Sequence, residues 1–107
     1  MDLQLAGKRA LVTGSTSGIA AEIARMLVLE GVKVVIHGRN RGRAHEVVTD
    51  IAAKGGQAAM ALGDLMIADG VEAVIQRSEE ALGGVDILVN NAAGSNTRRR
   101  RAGSKGQ

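Results

Sequence analysis

The sequence predicts an α/β fold: an open, doubly wound parallel sheet of about four strands with three helices crossing over on its two faces. Three observations lead there. Short β-rich apolar runs alternate with longer stretches whose apolar residues recur at helical spacing. Glycines punctuate the joints, at Gly31, Gly55-Gly56 and Gly83-Gly84. Val32 to Ile36 is almost entirely apolar and β-branched, as a strand buried on both faces must be.

Taken in order, Met1-Asp2-Leu3-Gln4-Leu5 reads as a lead-in to a first strand, Ala10-Leu11-Val12, which ends at Thr13-Gly14. A helix is expected from Gly18 to Leu29, with Ser17 placed to cap it and Ile19, Ile23, Met26 and Leu27 forming its apolar stripe. The second strand, Val32 to Ile36, runs out into His37-Gly38-Arg39-Asn40. A second helix covers Arg41 to Lys54 with Ala44, Val47, Val48, Ile51 and Ala52 inward. Gln57 to Leu62 is a weaker third strand, followed by Gly63-Asp64. The third helix spans Ala68 to Leu82, with Val71, Val74, Ile75, Ser78 and Leu82 on one stripe. Val85 to Val89 is the fourth strand. The order βαβαβαβ implies right-handed crossovers and a parallel sheet.

Composition narrows the function. The 107 residues contain no cysteine, proline, phenylalanine, tyrosine or tryptophan. A disulfide framework and a thiolate metal site are excluded, and a reducing cytoplasm is the expected compartment. Without aromatics the core must be Val, Ile, Leu, Met and Ala, and the stacking platforms of single-strand nucleic-acid binders are missing. No apolar run approaches the ~20 residues of a membrane span, and the N-terminus lacks a signal-peptide pattern. Arg98 to Arg101 and Lys105 lie in the last ten residues. Removing those five from fourteen basic residues leaves nine against eleven acidic ones, so the basic character belongs to the tail. Four arginines support nonspecific, salt-sensitive binding at most, and no other motif points to nucleic acid.

Thr13-Gly14-Ser15-Thr16-Ser17-Gly18-Ile19-Ala20 sits where the first strand feeds the first helix. Glycines there let the backbone turn tightly and approach a pyrophosphate, while free N–H groups and the helix dipole favour its charge. Ser15, Thr16 and Ser17 add hydroxyl donors. The spacing Thr-Gly-x-x-x-Gly-x-Gly resembles the fingerprint of the short-chain dehydrogenase/reductase family, except that Ala20 stands where the family has glycine. The resemblance implies a Rossmann-type sheet, incomplete in this chain, and cofactor contacts from Gly14, Ser15, Thr16, Ser17, Gly18 and Ile19. The extra methyl of Ala20 is expected to weaken binding without abolishing it, since overpacking typically costs ~1–3 kcal/mol.

Two more motifs fit the same family. Asp64, with Leu65 beside it, resembles the family's aspartate that contacts the adenine. Asn90-Asn91-Ala92-Ala93-Gly94 resembles its Asn-Asn-Ala-Gly element, with Asn91, Ala92, Ala93 and Gly94 along the cofactor. Singly, Asp64 also reads as a turn residue and the asparagines as caps. Three motifs in order on the right elements make the resemblance specific, over roughly residues 7–94.

The end of the second strand reads Gly38-Arg39-Asn40-Arg41, without an acid. In dinucleotide folds an acid near this point holds the 2′-hydroxyl of NAD, and an arginine suits the 2′-phosphate of NADP. NADP(H) is therefore the expected cofactor, ahead of NAD, with Arg39 as the contact and Arg41 behind it. His37 reads as a strand-end residue rather than a catalyst.

The family's proton donor belongs to a Tyr-x-x-x-Lys motif, and this chain has no tyrosine. No catalytic residue is assigned, and hydride transfer between an alcohol and a carbonyl is not expected of this chain alone. From Gly94 onward apolar periodicity stops, so residues 1–94 read as a nucleotide-binding half-domain and residues 95–107 as a basic, disordered tail. The abrupt change suggests a frameshift or early stop. The fourth strand is expected at an open edge, where Val85, Ile87 and Val89 invite self-association or pairing with another chain. The alternative function is thus a non-catalytic nucleotide-binding or interaction module.

Overall fold

The computed structural model describes residues 4–91. Strands β1 (Arg9–Val12), β2 (Lys33–Gly38), β3 (Ala58–Leu62) and β4 (Ile87–Val89) alternate with helices α1 (Gly18–Leu29), α2 (Arg41–Ala53) and α3 (Ala68–Leu82). The sheet is fully parallel in the order β3-β2-β1-β4. The first strand therefore lies inside the sheet, and the chain reverses its direction of growth between β1 and β4. Such a reversal opens a crevice beyond the carboxyl ends of the strands, where open α/β sheets bind ligands.

Alternation along each strand divides the core between two faces. Ala10, Val12, Val34 and Ile36 point towards Ala20 and Ala24 of α1 and Ala44, Val47 and Ile51 of α2. Leu11, Val35 and Ala61 point the other way, towards Val74 of α3. The sheet is thus wound on both faces, as the period-2 pattern of a doubly buried strand requires.

The expected stripe of α1 is not the buried one. Ile19 and Met26 are exposed, Ile23 and Leu27 are half-buried, and Ala20, Ala21 and Ala24 carry the contact. Small side chains let the helix axis approach the sheet, whereas the large ones would hold it off. Ala52 of α2 and Ile75 of α3 are likewise exposed rather than inward. Strand β2 starts one residue later than expected and continues through His37 and Gly38, both of which pair with β3.

Among the described residues, strand β4 sits at an open edge of the sheet as expected, but it is only three residues long and excludes Val85. Its most exposed apolar side chain is Leu88, not Ile87 or Val89. An ion pair joins the residue before β4 to β1. Both Asp86 oxygens accept from the Arg9 side chain, at 2.9 and 3.0 Å, and Oδ2 also accepts from the Arg9 backbone N–H. The Asp86 N–H returns a bond to the Arg9 carbonyl, which fixes the register of β4 on β1. The Arg9 side chain, then its N–H, holds the Asp86 carboxyl at about 2, below its ordinary 3.8. A lowered carboxyl pKa contributes stability in full above the unfolded value, about pH 4, and loses it as pH falls through the folded value. The melting temperature should accordingly fall from pH 4 to pH 2 more steeply in the parent chain than in Asp86→Asn. Equal slopes in the two proteins would refute the assignment.

Candidate functional site

All four strands end at one cleft of about 1040 Å³. Its floor is built from Thr13 and Gly14 after β1, Gly38 and Arg39 at β2, Gly63 and Asp64 after β3, and Asn90 and Asn91 after β4. Leu65, an expected contact, lines it too, as do Thr16, Ser17, Gly18 and Ile19 from the turn into α1. Ala92, Ala93 and Gly94 lie outside the described residues.

The turn before α1 has the geometry its glycines allow. Gly14 and Gly18 both adopt left-handed backbone, with φ of 61° and 64°. Nothing lies within 4 Å of where a Cβ on Gly18 would stand, so the strain there comes from the backbone and the space is open to a ligand. Ser17 occupies the N-cap position in extended backbone, yet its side chain takes up no first-turn N–H. The uncapped first turn of α1 therefore presents N–H groups and the positive end of the helix dipole to the cleft.

Ser15 behaves differently from the serine and threonine beside it. It is fully buried and does not line the cleft; its Oγ donates to the Val12 carbonyl at 2.6 Å and accepts from the His37 N–H at 2.9 Å. The hydroxyl expected to face phosphate is thus engaged in holding β1 to β2. Ala20 is also turned away from the cleft: its methyl is buried among the residues between α1 and the sheet.

Thr13 ties β1 to β4 at the other end of the floor. Its Oγ1 lies 3.3 Å from the Val89 carbonyl and 3.2 Å from Asn90 Oδ1, and it accepts from the Asn91 N–H at 2.8 Å. Asp64 is at once a turn residue and a wall of the cleft. Oδ1 accepts from the Met66 N–H at 2.9 Å, while Oδ2 stands 3.9 Å from Arg39 Nη1. The Arg39 side chain is 76% exposed. At that distance and exposure the pair is weak, worth at most ~1 kcal/mol, and the guanidinium is available to an anion.

Sequence reasoning missed two groups of cleft residues. His37 is buried at the base, with both ring nitrogens hydrogen-bonded. The signal was there: an imidazole at the buried end of an otherwise apolar strand requires polar partners. The second group is Met66, Ile75 and Leu88, which with the expected Ile19 form an apolar rim, all exposed and all lining the cleft. Exposed apolar side chains gathered around one opening mark a surface that meets a ligand or another part of a protein. Among the described residues, no three His, Asp or Glu side chains gather to hold a metal ion, and no helix is long and apolar enough to cross a membrane.

Residues 8–105 match the short chain dehydrogenase family. The chain is 40% identical over 93 residues to a 7alpha-hydroxysteroid dehydrogenase of Escherichia coli K12, covering 87% of this chain and 36% of that protein. Among solved structures, L-sorbose reductase of Gluconobacter frateurii, complexed with NADPH and L-sorbose, superposes with a TM-score of 0.83 at 39% identity. That match covers 86% of this chain and 35% of the reductase. A dehydrogenase/reductase from Sinorhizobium meliloti 1021 matches at 46% identity and a TM-score of 0.76, over 81% of this chain and 35% of that one. The chain thus spans little more than a third of the length of the relatives it matches.

Proposed function

The chain belongs to the short-chain dehydrogenase family, and on that premise we propose that it is the NADP(H)-binding portion of an oxidoreductase acting on an alcohol/carbonyl pair. One observation carries the reading. An uncapped helix N-terminus and an exposed arginine border the same cleft at the point where the strand order reverses.

The residues present fit the cofactor. Gly18 offers open space at the start of α1, and Arg39 offers a guanidinium suited to a phosphate. Gly18, Ile19, Thr16 and Ser17 would hold the pyrophosphate, Arg39 the 2′-phosphate, and Asp64 with Leu65 the adenine end. When bound, the nicotinamide supplies or accepts hydride. The part of these residues is to bind and orient, and we assign none of them to proton transfer. The relatives named above act on a steroid and on a sugar, so the portion they share with this chain leaves the substrate open. A cytoplasmic setting accords with a sequence free of cysteine.

A second reading rests on Leu88, 61% exposed on the open edge strand β4. In that reading the chain is a non-catalytic nucleotide-binding or interaction module that pairs through β4 with another chain.

Thermal unfolding followed by circular dichroism, with NADPH or NADH added, tests the main proposal. Ligand at 100 times its dissociation constant adds ~2.7 kcal/mol, or roughly 10 °C or more for a domain of this size. We expect that shift with NADPH and a smaller one with NADH. A cooperative melt that neither ligand moves would exclude the cofactor reading and leave the pairing one.

A further inference from the structure

His37 makes four hydrogen bonds at the base of the cleft. Its backbone N–H donates to Ser15 Oγ and its carbonyl accepts from the Ser15 N–H, both at 2.9 Å. Its ring Nδ1 accepts from the Gly14 N–H at 2.8 Å, and Nε2 lies 2.8 Å from the Gly63 carbonyl oxygen. A backbone N–H can only donate and a carbonyl can only accept. Nδ1 must therefore be bare and Nε2 must carry the proton. Of the three protonation states of an imidazole, only the neutral Nε2–H tautomer satisfies both contacts. The residue is 4% exposed, so water is poorly placed to replace either partner.

These bonds join the turn after β1, the end of β2 and the turn after β3, the three segments that form this side of the cleft. We propose that His37 is a positioning residue of the dinucleotide site, an imidazole clamp that holds the Gly14 turn against the end of β3. The inference rests on the cleft being a dinucleotide site. It also alters the list of phosphate donors. The N–H groups of Gly14 and Ser15 are both taken by His37, which leaves anion binding to Thr16, Ser17 and the first turn of α1 at Gly18 and Ile19. Gly14 serves the site by its conformation, and its amide is directed into the protein.

Two measurements on the full chain decide the matter. The first needs no cofactor: long-range proton–nitrogen NMR of the His37 ring, together with hydrogen exchange at Gly14 and Ser15. The clamp requires the Nε2–H tautomer and slow exchange at both amides; a ring protonated on Nδ1, or one averaging between tautomers, overturns it. The second is NADPH titration of three variants. His37→Leu leaves the Gly14 N–H and the Gly63 carbonyl unpaired and should weaken binding by about tenfold or more. His37→Asn keeps an acceptor within reach of Gly14 and should stay within about threefold of the parent. Should the leucine variant not fold, His37→Gln replaces it, since its longer side chain keeps only the Gly63 link. The asparagine variant must then bind more tightly than the glutamine one. Equal affinity across the folded variants overturns the clamp. Failure of the parent chain to bind either nicotinamide cofactor sinks the dinucleotide reading instead, and the ring tautomer still reports whether the clamp exists.

Discussion

Gly70→Ala should lower the melting temperature by about 10–20 °C, the largest loss we expect from a single added methyl in this fold. Gly70 lies in the first turn of α3 and is buried against the turn after β3. A Cβ there would overlap the Asp64 carbonyl oxygen and stand 2.8 Å from its carbon and 2.9 Å from its nitrogen. The neighbour is backbone, so no rotamer change relieves the overlap, and the turn or the helix must move. Overpacking costs ~1–3 kcal/mol where side chains can adjust, and this site belongs at the upper end. Gly63 reinforces the constraint, because a Cβ on it would meet the Gly70 carbonyl oxygen at 2.8 Å. The moving turn carries Asp64 and Leu65, so the stabilisation by NADPH should shrink in the same variant. An unchanged melting temperature would show that the turn has room the structure denies it.

Arg39→Ala should weaken NADPH by about 10- to 100-fold and leave NADH within about twofold, measured by titration at fixed ionic strength. A hydrogen bond to a charged group contributes roughly 1.5–3 kcal/mol, and a guanidinium meets a phosphate through two of them. Exposure of the side chain reduces this, because the Debye length at physiological salt is about 8 Å, which favours the lower half of the range. Asp64 acts in the opposite direction: removing Arg39 leaves that carboxylate facing the cleft without its 3.9 Å partner. Arg39→Glu should therefore discriminate against the 2′-phosphate still more strongly. If both cofactors weaken equally in Arg39→Ala, the arginine serves the turn rather than the phosphate.

The fold was legible because its signals are additive over many residues. The β-branched run at residues 32–36, the glycine breaks and the helical spacing all favour one arrangement, and every element appears in its expected order. The orientation of α1 was not legible. Hydrophobic size selects Ile19 and Met26, but a helix lying close on a sheet needs Ala20 and Ala24, and closeness is a property of the packed pair. The cleft was legible at Gly14, Gly18, Arg39 and Asp64, since each is tied to a strand end by a short motif. The roles of Ser15 and His37 were not, because they depend on hydrogen bonds across 22 to 26 positions of sequence. Nothing local distinguishes a serine hydroxyl that faces phosphate from one that faces a strand.

The interior position of β1 has a consequence in time. Arg9 and Asp86, which fix β4 on β1, are separated by 77 positions. On a ribosome adding ~5–20 residues per second, β1 waits roughly 4–15 s for that partner to be made. Until then the first strand of the nascent chain is itself an edge strand, with one row of backbone groups unpaired. Parallel pairing over so long a separation gives high contact order, which slows folding however stable the product. Strand β1, interior among the described residues, thus keeps one side open until β4 is made.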